Sequence, residues 1–223
     1  MTQRNGRRTT IPLRHRRTSV AIILETDLDF PILVKHLPNS DYLKLHIFRP
    51  RLLANLINSN YASPTVTNCT FSDNSAQQGG AIYNYYSSLL TALNCILWGD
   101  SASALGPELY SETHGYPDKV YPSRTTATYS IVQGGYSGTG NLDFDPVLNS
   151  DLIPGPTSPA IDAGDCGISV LATDILGNPR WNIASVSNRT GSNGVDIGAY
   201  EYQGSTANGD AIVPPALRRR PFS

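Results

Sequence analysis

The side chains able to do chemistry gather in one stretch, residues 106–123, which also holds Pro107, Gly115, Pro117 and Pro122. Glu108, Tyr110, Glu112, His114, Tyr116, Asp118 and Lys119 stand within it, and Arg124 follows at once. Carboxylates, an imidazole, cations and phenols on one loop suit a polar ligand, and loops carried by a rigid scaffold are where binding concentrates. Lyase or hydrolase chemistry on a polysaccharide would need a base working near neutral pH and groups that stabilise developing charge. Only His114, Lys119 and Arg124 near this loop qualify. Carboxylate pairs of the glycosidase kind occur at Asp143/Asp145 and Asp162/Asp165. Both lie among glycine and proline, where aspartate bonds its own backbone, and the turn reading is preferred. With Asp174 and Asp196 the same acids would suit Ca²⁺, but no calcium-binding repeat is present. His15, His36, His46 and His114 show no metal-ligand spacing. The run Gly134–Gly140 is glycine-rich but opens no helix, so it is no phosphate cradle. The aromatics Tyr83, Tyr85, Tyr86, Trp98, Tyr129 and Tyr136 suit stacking on sugar rings, and packing at corners accounts for them equally. No catalytic residue, cofactor or metal is assigned.

What positions these residues is a repeat. Asn58–Ala76 lies over Asn84–Ala102 at a constant offset of 26, matching Asn58 to Asn84, Thr65 to Thr91, Asn68 to Asn94, Cys69 to Cys95 and Ser75 to Ser101. Phe71 meets Leu97, and Asn74 meets Asp100. A fixed period of this size marks a stacked-coil architecture in which each unit buries its apolar face only against its neighbours. The alternating stretch 63–71 predicts a strand with Thr67, Cys69 and Phe71 on one face, and 89–98 predicts its partner with Leu93, Cys95 and Leu97. Asn68 and Asn94 are expected to stack in an amide ladder. Cys69 and Cys95 would stack too, as buried thiols in preference to a disulfide. A third coil, 126–134, matches 91–99 at an offset of 35, so that Ser130 falls on Cys95 and Val132 on Leu97. The extra residues make 106–123 an inserted loop.

Composition agrees with a turn-rich β protein: 19 Gly and 16 Pro, with only 16% charged residues. The net charge of −1 hides an asymmetry. Residues 1–60 carry ten Lys or Arg against four acids, whereas 61–217 carry four against fourteen. The acidic body argues against a nucleic-acid groove. The coil segments 58–102 and 126–140 contain no Lys, Arg, His or Glu, which argues against an active site on their faces. Three cysteines allow no complete disulfide framework. No stretch approaches the ~18 apolar residues of a membrane span, and Val20–Leu24 is too short for the core of a signal peptide.

Four regions result. Residues 1–57 have no single reading and stand as an N-terminal cap or a foreign segment. Residues 58–140 are coils, 141–203 are short Asp-, Gly- and Pro-rich segments expected to cover the last coil, and 204–223 are a tail.

Phe71-Ser-Asp-Asn74 followed by Gly79-Gly80-Ala81-Ile82 resembles the paired FxxN and GGA(I/L/V) motifs of the polymorphic outer-membrane protein repeat. Ser158–Gly164, Thr173–Arg180 and Val195–Tyr202 resemble the closing region of bacterial β-helix surface proteins of the choice-of-anchor type. The resemblance implies an all-β, right-handed parallel β-helix with few coils and an irregular C-terminal cap. It also implies an extracellular or cell-surface location, and a chain that is the C-terminal part of a longer protein. The expected role is a non-catalytic, adhesin-like or structural module whose partners are cell-surface glycans, host proteins or envelope proteins. The competing expectation is the end of a polysaccharide lyase or glycoside hydrolase acting through other coils or the 106–123 loop.

Overall fold

A computed structural model describes residues 20–24, 32–35, 42–47, 56–59, 61–116, 119–167, 172–180 and 194–204. The first strands are β1 (Val20–Leu24), β2 (Ile32–Lys35), β3 (Tyr42–Ile47) and β4 (Leu56–Ser59). The next coil holds β5 (Thr65–Thr67), β6 (Thr70–Ser72), β7 (Ser75–Gln78) and β8 (Ile82–Asn84). The following one repeats it as β9 (Leu89–Leu93), β10 (Ile96–Trp98), β11 (Ser101–Leu105) and β12 (Leu109–Ser111). A hairpin, β13 (Thr113–Tyr116) and β14 (Lys119–Pro122), interrupts the path before β15 (Arg124–Thr128) and β16 (Ile131–Val132).

The strands stack in parallel into four sheets: β1-β3-β5-β9-β15, β6-β10-β16, β7-β11 and β2-β4-β8-β12. The fold is an all-β parallel β-helix. The repeat offsets are its registers: Thr65 pairs with Thr91, Phe71 with Leu97 and Ser75 with Ser101, and the longer offset pairs Thr91 with Thr126 and Leu97 with Val132. The first sheet has five rungs, because β1 and β3 from the unassigned N-terminal region pair in parallel with each other and with β5.

The interior is filled by columns of like residues. Val66, Ala92 and Ala127 form one, Phe71, Leu97 and Val132 a second, and Leu56, Ile82 and the partly buried Leu109 a third. Cys69 and Cys95 are free, buried thiols in this core, so the disulfide is absent. Their sulfurs bond the carbonyl oxygens of Thr67 and Leu93, and Ser130 repeats the pattern by donating to Thr128 O at 2.9 Å.

The predicted strand face is corrected at the corners. Asn68, Asn94 and Tyr129 occupy one register with φ of 51°, 53° and 47°. This left-handed backbone is costly for most residues and least so for Asn and Gly. It turns the chain from the first sheet to the second and resets the alternation. Val66 and Cys69 therefore both point inward although three apart, and the inward pair on β9 is Leu90 and Ala92 rather than Leu93. The next corner repeats the device at Asp73, Gly99 and Gly134, and the one after it at Gly79 and Gly106. At Gly80 a Cβ would lie 2.0 Å from Pro107 O, so close approach of adjacent coils requires glycine there.

The C-terminal segments begin on the last coil, where Asn141 Nδ2 donates to Ala127 O and Leu142 N to Ser130 O, and continue on its flank. Leu142 adds one bridge to Ile131 at the end of the second sheet. Residues 158–167 and 194–201 then lie against the outer flank of that sheet. Ala199 N donates to Thr70 Oγ1 at 3.0 Å and Gly198 N to Asn94 O at 2.9 Å, reaching two different coils. Ile96 and Ile131, which face outward from β10 and β16, are buried against Ala160, Ala163 and Ile197 in a second core. The Asn68–Asn94 ladder is likewise replaced. Asn94 Nδ2 donates to Asp165 O at 2.8 Å and Asn68 Nδ2 reaches Asp196 O at 3.5 Å. The amide ladder runs instead through Asn58 and Asn84, which are joined at 2.8 Å.

Candidate functional site

The fourth sheet has opposite faces built by strict alternation. Leu56, Ile82 and Leu109 point inward, and Ile57, Tyr83 and Tyr110 share the outward register. The corner after β8 adds Tyr85 and Tyr86, with Tyr86 at φ 58°. The rings meet: Tyr83 stacks on Tyr85 at 4.9 Å and 8°, and on Tyr110 at 5.9 Å and 15°. Tyr86 stands edge-on to Tyr85 at 6.4 Å and to Tyr61 at 6.1 Å. Offset and edge-to-face contacts of this kind add about 0.5–1.5 kcal/mol each to the area they bury. Five phenols thus form a continuous strip across three successive turns, ending in Tyr61, which is 56% exposed. Tyr83 donates its hydroxyl to Glu112 Oε2. Burial first, and then the carboxylate beside it, push the Tyr83 hydroxyl well above the ordinary phenol range.

The 106–123 stretch divides. Residues 106–111 belong to the coil itself, as the turn at Gly106 and strand β12, and only the hairpin is an insertion. Tyr110 and Glu112 join the strip. His114, Tyr116 and Lys119 lie on the hairpin backbone, their side chains outside the described residues, as is Asp118. Arg124 is exposed at the start of β15, where its carbonyl accepts from Asn84 Nδ2 at 2.8 Å. Glu108 departs furthest from a ligand-facing position. It is buried, its carbonyl accepts from Ala81 N and Ile82 N, and its Oε1 accepts from Asp100 N at 3.2 Å.

That contact creates a feature the sequence did not single out. Asp100 is also buried, and its Oδ1 accepts from Asn74 N at 2.7 Å and from Asn74 Nδ2 at 2.6 Å. Desolvation raises Asp100 to about 6, and desolvation followed by the neighbouring Asp100 raises Glu108 to about 9. The available signal was the substitution of Asp100 for Asn74 within the repeat.

The remaining aromatics disperse. Trp98 packs on the flank core, Tyr136 on the main core, and the Tyr129 ring lies against Gly140. The paired carboxylates make turns: Asp145 Oδ1 accepts from Val147 N at 2.8 Å and Asp165 Oδ1 from Gly167 N at 3.1 Å. Asp174 Oδ1 similarly accepts from Leu176 N and Asn178 N. Among the described residues no cluster of three or more His, Cys, Asp or Glu side chains could hold a metal ion, and no helix is long and apolar enough to cross a membrane.

Residues 68–85 match the Chlamydia polymorphic membrane protein repeat. The matched stretch runs from the corner at Asn68 to Tyr85, so it contains β6, β7, β8 and two tyrosines of the strip. No curated protein and no solved structure gave a significant match to the chain.

Proposed function

We propose that this chain is a module of a bacterial cell-surface protein that acts by binding, and that the tyrosine strip is its recognition surface for glycans. The repeat match supports the surface setting, and the strip of Tyr61, Tyr86, Tyr85, Tyr83 and Tyr110 carries the binding reading. Aromatic rings held rigidly offer apolar area to the C–H faces of sugars at low entropic cost, while hydroxyls at their rims supply hydrogen bonds. Glu112 adds an acceptor beside Tyr83. The right-handed sense of the coil, secretion, anchoring of the choice-of-anchor type and membership of a longer chain belong to this same reading.

The test is electrophoretic retardation in gels containing neutral and acidic polysaccharides, alongside reducing-sugar release. Retention on at least one polysaccharide, weakened severalfold by Tyr61→Ala and Tyr110→Ala, is the expected outcome. Sugar release above a heat-inactivated control would replace the binding reading with a catalytic one. Retention unchanged in both variants would remove the strip from it.

A further inference from the structure

We propose that the Asp100–Glu108 pair is a proton-operated latch that fixes the terminal rung β12 to the coil. Two carboxyl groups meet in a place without room for two charges. Both residues are more than nine-tenths buried, at 6% and 3% exposure. Asp100 Oδ2 and Glu108 Oε2 find no N–H or hydroxyl donor. Everything facing the pair is neutral or negative. Asn74 approaches from the preceding coil with its N–H and amide, Asp73 adds a negative charge at the same corner, and the backbone N–H groups of Asp100 and Gly99 act on Glu108. No Lys, Arg or His side chain figures among the groups that act on either carboxyl.

One retained proton resolves the conflict. A neutral Glu108 donates to the Asp100 carboxylate, which satisfies both orphaned oxygens. Glu108 is the residue whose carbonyl receives both Ala81 N and Ile82 N, at 3.0 and 2.9 Å. Its side chain therefore anchors the point where β12 joins β8 and where Tyr110 meets Tyr83. Loss of the proton puts two anions in contact beneath that joint.

The direction with pH follows from linkage. The folded-state value of Glu108, about 9, lies above its unfolded value near 4.3. The folded chain thus binds the proton more tightly, and the pair's contribution is fully present below the unfolded value. It is lost as pH rises toward 9, with a ceiling of tenfold in the folding constant per pH unit.

Urea denaturation of the full chain at pH 6, 7.5 and 9 tests the latch, with Glu108→Gln as the variant. The glutamine amide can donate to Asp100 at every pH, and its oxygen can still accept from Asp100 N. Wild type is expected to lose stability across this range while the variant stays flat and surpasses it at pH 9. A variant that tracks the wild-type decline overturns the proposal. Infrared spectroscopy of the native wild type provides a measurement independent of variant folding. A protonated-carboxyl band at pH 7 that vanishes above pH 9 supports the latch, and its absence at pH 7 refutes it.

Discussion

Arg180 holds the flank segments together, and removing its charge should release them. Its side chain and that of Glu201 are 1% and 0% exposed, with Nη1 and Oε2 2.9 Å apart. Nη2 also donates to Gly198 O at 2.8 Å and Ala199 O at 3.1 Å, and Nη1 to Asp196 O at 3.3 Å. Glu201 Oε2 in turn accepts from Asp196 N, and Glu201 N donates to Asp174 Oδ2. Arg180→Met keeps much of the apolar stem but removes the cation from a buried carboxylate and one donor from each of three carbonyls, of which Asp196 O and Ala199 O keep Asn68 Nδ2 and Ile175 N. Breaking a buried ion pair from one side costs about 3–5 kcal/mol, a large part of the ~5–15 kcal/mol that holds an ordinary domain together. The lost carbonyl bonds would add to this if the segment stayed in place, so undocking of the flank sets the upper bound. Urea denaturation should show the loss. Limited proteolysis should cut within 158–203 while far-ultraviolet circular dichroism keeps the strand signal of the coils. Acid should partly rescue the variant, because Asp196, raised by burial and then by the charge of Glu201, gains a proton readily. A variant within about 1 kcal/mol of wild type at neutral pH, with an uncut flank, would refute the reasoning.

Gly198 sits at φ 103°, and a Cβ there would come within 2.7 Å of Ile96 Cδ1 and 2.9 Å of Thr70 Oγ1. Gly198→Ala should therefore cost about 1–3 kcal/mol in thermal or urea unfolding. Asn84→Ala removes the acceptor of Asn58 Nδ2 and the donor to Arg124 O and Ser88 O. It should cost about 1–3 kcal/mol through the buried groups left without partners, and Asn84→Asp should not restore the bonds to the carbonyls. Thiol titration of the native chain should label Cys166, which is exposed, and leave Cys69 and Cys95 unreacted until denaturant is added. Rapid labelling of all three in the native state would contradict the buried placement.

The coils were legible because their signal is local and repeated: an offset of 26 between Phe71 and Leu97 is a strand register written directly in the chain. The corners were not, since nothing in the identity of Asn68 states that its φ is positive. Without that, simple alternation assigned Thr67 and Leu93 to the core face in place of Val66, Leu90 and Ala92. The 106–123 stretch was misjudged as one loop because its coil portion, Leu109–Ser111, is three residues long and is recognised by pairing with β8 rather than by periodicity. The tyrosines were visible singly. Their gathering depends on a stack between Tyr83 and Tyr110, residues 27 apart, which only the coil geometry creates. The N-terminal strands lack the FxxN and glycine signals of the later coils, so their parallel pairing left no motif to find. The flank segments read correctly as turns, but their docking on Ile96 and Ile131 is a long-range packing event with no local mark.

That docking changes how the molecule should come apart. A bare stack of coils holds together through nearest-neighbour contacts, so rungs can fray from an end one at a time. Here two packed segments, 158–167 and 194–201, together touch Asn68 and Thr70 on one rung, Asn94 and Ile96 on the next, and Ile131 on a third. Melting any of these rungs loosens packing that serves the other two. Hydrogen exchange should therefore find β6, β10 and β16 opening together as one unit.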